Sequence, residues 1–125
     1  MAKPKPPREH WQDEPEEHDF PAAAGYLSLI YPERMSAAIV DALRTAAPTR
    51  RKAKDLLRAA GLDLLPSDDP EVKKDLKKVA RGELLSPVLL VRGPPLVIAD
   101  GYHRICASYH LDENADISCR LVDAP

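Results

Sequence analysis

Residues 96–111 read LVIADGYHRICASYHL, and this stretch decides the fold class. Leu96 to Ala99 is a short apolar run of strand length. It passes directly into Asp100-Gly101, and from about Gly101 the period becomes helical. Tyr102, Ile105, Cys106 and Tyr109 stand at i, i+3, i+4 and i+7, an apolar stripe that carries the helix to Leu111. A strand that turns straight into a helix leaves backbone N–H groups unpaired at the helix start, where the helix dipole adds partial positive charge. An anion, usually a phosphate, suits that place. Gly101 lets a ligand approach the backbone, Arg104 can offer a forked donor to phosphate oxygens, and His103 can exchange a proton near neutral pH. The plainer alternative is a well-capped helix start. In it Asp100 is the N-cap, Gly101 serves the turn, and Arg104 pairs with an acid such as Asp100 or Glu113.

The flanking segments extend the pattern on both sides. Downstream, Ile117 to Val122 (ISCRLV) alternates apolar and polar residues as a third strand. Upstream, Pro87 to Val91 (PVLLV) is a nearly continuous apolar strand, followed by a Gly93-Pro94-Pro95 turn. Before it, Ser67-Asp68-Asp69-Pro70-Glu71 opens a helix, with Asp69 as cap and Pro70 at the first helical position. Val72, Leu76, Val79 and Ala80 give its buried stripe, and Gly82 closes it.

Leu62 to Leu65 (LDLL) reads as a short strand. A helix is expected from about Thr49 to Ala60, stopped by Gly61, and another from near Pro32 until Pro48 ends it. Tyr26 to Tyr31 (YLSLIY) is either a short strand or an apolar turn. Residues 21–125 thus form one domain, helical over 32–60 with an α/β core over 62–122. Residues 1–20, MAKPKPPREHWQDEPEEHDF, are rich in proline and charge and read as a flexible tail, or as a docking peptide anchored by Trp11.

Composition limits the function classes. The chain has 125 residues, enough for one modest core. Its 18 Lys and Arg against 20 Asp and Glu give a net charge of -2, which argues for neither a nucleic-acid nor a membrane partner. The distribution says more: basic residues gather over 50–58 and 73–81, the latter comprising Lys73, Lys74, Lys77, Lys78 and Arg81. These are two solvated helix faces or, if they face the same way, a DNA-binding surface. No apolar run approaches the ~20 residues that span a bilayer, and no signal peptide is visible, so a cytoplasmic protein is expected. Cys106 and Cys119 form no CxxC pair, and Cys106 reads as a small buried hydrophobe. His103, Cys106 and His110 fall near one helix face and could make a zinc site with Cys119. Their spacing is not that of a standard zinc module, and no metal site is expected.

Two blocks within residues 76–122 resemble the ParB/sulfiredoxin superfamily: LKKVARGELLSPVLLVRG and LVIADGYHRICASYHL. The latter block is similar to the family's phosphate-binding strand-turn-helix. There ParB proteins carry a Gly-Glu-Arg-Arg run, sulfiredoxins Gly-Cys-His-Arg, and the related free serine kinases Asp-Gly-His-His-Arg. The resemblance implies an α+β or α/β fold with a small mixed sheet and packed helices, here preceded by extra N-terminal helices. It implies that Gly101, Tyr102, His103 and Arg104 meet nucleotide phosphates, with Ser86 and Pro87 against base or sugar. It further implies a nucleotide, ATP or CTP with Mg2+, and in the boldest version a phosphotransferase in which His103 or Asp100 assists proton transfer. A DNA-associated regulator and a nucleotide-sensing module are the alternatives. Tyr102 stands where sulfiredoxins carry their nucleophilic cysteine, and a phenol cannot replace a low-pKa thiolate, so that activity is not expected.

Overall fold

The computed structural model describes residues 10–125. The fold is α+β, with five helices and a four-stranded mixed sheet among the described residues. In chain order these are α1 (Asp19–Leu27), α2 (Glu33–Thr45), β1 (Pro48–Lys52), α3 (Ala53–Ala60) and α4 (Pro70–Ala80). Then come β2 (Val88–Arg92), β3 (Val97–Asp100), α5 (Tyr102–Leu111) and β4 (Asp116–Asp123). The strands lie in the order β1-β4-β2-β3. β2 runs parallel to β4, while the β1–β4 and β2–β3 pairs are antiparallel.

The apolar run of β2 follows from its place in the middle. Val88 and Leu90 point into one core, with α3, α5 and Ile117 and Cys119 of β4. Leu89 and Val91 point into the other, with α1, α2 and Ala99 of β3. Alternate residues thus serve opposite faces, and a strand covered on both sides needs no polar position. The start of α4 is as its sequence reads: Oδ1 of Asp69 accepts from the amides of Glu71 and Val72 at 3.0 and 3.1 Å, and Pro70 sits in the first turn.

Three segments differ from the expectations. The helix expected over 49–60 is split: residues 48–52 are the edge strand β1, and the helix begins only at Ala53. Pro48 to Lys52 carry no apolar helical period, and the open side of β4 takes them as a partner, from Pro48 opposite Arg120 to Lys52 opposite Asp116. The basic residues over 50–58 therefore divide between a strand and a helix. Leu62 to Leu65 are irregular rather than a strand. Their carbonyls serve α5 instead: Asp63 accepts from the Tyr102 hydroxyl, and Leu65 O lies 2.7 Å from His110 Nε2.

The third difference is the tail. Residues 1–9 lie outside the described residues, but from His10 onward the chain is packed. Trp11 bridges Leu85 in parallel fashion, with Gln12 N donating to Leu85 O at 2.8 Å and Leu85 N to His10 O at 2.6 Å. Trp11 is 4% exposed in the α3–α5 core and Phe20 5% exposed in the α1–α2 core. Two large aromatic anchors offset the ordering cost of a short segment otherwise too polar to fold. The segment 19–27 is helical, and Tyr26 to Tyr31 is the end of α1 and the turn after it, not a strand.

Candidate functional site

The β3–α5 turn is built around Gly101, whose φ of 114° and ψ of 15° place it in the left-handed region. A Cβ there would stand 2.4 Å from Val88 Cγ1 and 2.8 Å from Val88 Cβ. The glycine is thus required by the packing of the turn on β2. No side chain caps α5. Asp100, the natural cap by sequence, instead accepts from Arg104 Nη2 at 3.0 Å. Among the described residues, the first amides of α5 therefore have no acceptor to satisfy them.

The turn opens onto a cleft of about 280 Å³. Its walls are His18 from the start of α1, Glu71, Lys74, Asp75 and Lys78 from α4, and Asp100, Gly101, His103 and Arg104 from the turn itself. Of the residues expected to meet a nucleotide, the fold brings Asp100, Gly101, His103 and Arg104 to the cleft and places the others elsewhere. Tyr102 turns toward residues 62–66 through its hydroxyl. Ser86 is 6% exposed, accepts from the amide of Glu16 at 3.0 Å and donates to Asp19. Pro87 is fully buried, and its carbonyl accepts from Arg104 Nη2 at 3.4 Å. Ser86 and Pro87 therefore support Asp19 and Arg104 from behind.

Arg104 joins two carboxyl groups. Its side chain is 17% exposed, with Nη2 at 3.0 Å from Asp100 and 3.8 Å from Asp19, whose side chain is 4% exposed. Its Nε is buried without a partner. The acid pairing of Arg104 that the sequence offered as the plainer alternative is thus present. Sequence reasoning missed His18, Glu71, Lys74, Asp75 and Lys78 on the cleft walls, and it missed Asp19, which is hidden in an acidic run and meets Arg104. The signal that could have found it is Asp19 followed by Pro21, a helix-start pattern that takes this acid out of the run of its neighbours.

Burial raises the Asp100 carboxyl above its ordinary 3.8, Arg104 pulls it back, and Asp19 pushes it up again. Burial likewise raises Asp75, against the pull of Arg104 and Lys78. A raised carboxyl pKa in the folded state means that folding favours the protonated form. Its stabilising contribution is full below 3.8 and is lost as pH rises through the folded value. Relative to wild type, Asp100→Asn is therefore expected to gain melting temperature as pH rises from about 4 to 7. Melting curves of both proteins across that range check it. A gap that moves the other way would show that the Arg104 pair outweighs burial.

Both thiols are buried, Cys106 as expected. Burial raises Cys106 and pushes Cys119 up to about 11, so neither is a thiolate at neutral pH. Cys119 Sγ donates to Thr49 O at 3.5 Å, and His110 is held at Leu65. Among the described residues no three His, Cys, Asp or Glu side chains are grouped to hold a metal ion, and no helix is long and apolar enough to cross a membrane. No family model matches the chain, and neither a curated protein nor a solved structure matches it.

Proposed function

We propose that the cleft at the start of α5 binds the phosphate of a nucleotide. The observation that carries this reading is the uncapped helix start at Gly101 opening into a cavity that also holds Lys74, Lys78, His103 and Arg104. Backbone amides and the helix dipole favour an anion there, and the cations lower the cost of bringing its charge in. The resemblance of the turn to the phosphate-binding segment of the ParB/sulfiredoxin superfamily supports the same reading. A magnesium ion arriving with ATP or CTP would find Glu71 and Asp75 on the opposite wall. In the phosphotransferase version His103 is the group left to move a proton, because Asp100 is committed to Arg104.

Isothermal titration with inorganic phosphate, ATP and CTP, the nucleotides with Mg2+, tests the proposal. Wild type is expected to bind, and Arg104→Ala to lose roughly 1.5–3 kcal/mol of affinity, the range for a hydrogen bond to a charged group. Affinity is the right readout. Removing Arg104 also strands Asp19 and Asp100 beside each other, so the variant loses stability with or without ligand. Wild-type protein that binds none of the three ligands ends the proposal.

A further inference from the structure

The cations of α4 extend well beyond the cleft. The side chains of Lys73, Lys74 and Lys77 are exposed and make no ion pair or hydrogen bond with any described residue. One turn on, the Arg81 side chain pairs, among the described residues, only with Glu83, at 2.7 Å. A shallow depression of about 350 Å³ runs along this face, lined by Pro70, Lys73, Lys74, Lys77 and Arg81. Four of those five side chains are cationic, in a chain whose net charge is -2. The stripe is therefore a local concentration of positive charge and not general basicity. Lys74 lines both this depression and the cleft at α5, so the two concavities adjoin each other.

One nucleotide cannot use this whole surface. Its phosphates would fill the cleft and leave Lys73 and Lys77 without a partner and Arg81 with Glu83 alone. Residues four apart on a helix recur at about 5–6 Å, so the stripe offers point charges at regular steps along a line. The ligand that suits it bears a terminal phosphate and further phosphates in series. We propose that the site holds the end of a single-stranded nucleic acid, with its terminal phosphate at the start of α5 and its backbone running along α4. This rests on the phosphate reading of the cleft. α4 carries no aromatic side chain, so contact along the stripe is to the backbone and indifferent to base sequence.

Fluorescence anisotropy of the full chain with a 3′-labelled oligothymidylate of roughly eight nucleotides tests this, with and without a 5′-phosphate. Salt is varied from about 50 to 200 mM. Wild type is expected to bind the phosphorylated strand about tenfold more tightly than the unphosphorylated one, as befits one added charge-assisted contact. Lys73→Gln with Lys77→Gln should lower the slope of log affinity against log salt by about 1.4, since each released phosphate contact on a single strand contributes about 0.7. Arg104→Lys should shrink the preference for the 5′-phosphate and leave that slope in place. An unchanged slope in the lysine double variant, or equal binding of poly-L-glutamate of the same length, overturns the stripe as a nucleic-acid surface. If inorganic phosphate binds while the oligonucleotide does not, the inference fails and the cleft reading stands. If neither binds, both fall.

Discussion

Gly101→Ala is expected to destabilise the protein by about 2–5 kcal/mol, a large share of the roughly 5–15 kcal/mol that holds a domain folded. Two costs add. A Cβ at a left-handed residue costs roughly 1–2 kcal/mol in the backbone alone. The added methyl also meets Val88, fully buried and β-branched, at 2.4 Å, and overpacking of that kind costs roughly 1–3 kcal/mol. Gly61 provides the comparison. Its φ of 67° is also left-handed, but nothing lies within 4 Å of the Cβ it would gain. Gly61→Ala should therefore show the backbone cost only. Urea unfolding of the two variants separates the contributions, and equal losses would mean that β2 moves aside at no cost.

Trp11→Ala should cost about 3–5 kcal/mol, the range for deleting a large buried aromatic side chain. Trp11 is 4% exposed and packs in the same core as α3, α4 and α5, so its loss opens a void under three helices at once. Its Nε1 is buried and makes no hydrogen bond. Trp11→Phe should accordingly keep most of the stability, because it keeps an aromatic ring and forfeits no polar contact. Thermal melts that leave Trp11→Ala unchanged would return this segment to the solvent, as its composition alone suggests.

The contrast between these two positions shows where the sequence is readable. Gly101 lies where local signals agree: an apolar strand, a turn glycine and a helical stripe, each visible within a few residues. The start of α4 is legible for the same reason, since Asp69 and Pro70 act on their own neighbours. β2 is legible because burial on both faces leaves an uninterrupted apolar run. Trp11 is different. Nothing beside it is apolar, and its partner is Leu85, far along the chain. β1 fails likewise: Pro48 to Lys52 hold a strand only because β4 is next to them, and edge strands draw little on their own propensity. In the site, the turn residues are readable. Lys74, Asp75 and Lys78 reach the cleft, and Asp19 reaches Arg104, from helices that the sequence places only in one dimension. Ser86 lies behind the cleft and not in it, held by Glu16 and Asp19, which are far from it in the sequence.

The edge position of β1 has a consequence for how copies of the chain meet. β1 ends the sheet, and its outer backbone groups are an open template for another strand. The three residues that continue that edge are Arg50, Arg51 and Lys52, with side chains alternating to the two faces. Two copies docking edge to edge through β1 would bring like charges into register on both faces of the joined sheet. The same residues that deny the segment a helical stripe thus keep the sheet from growing into a ribbon.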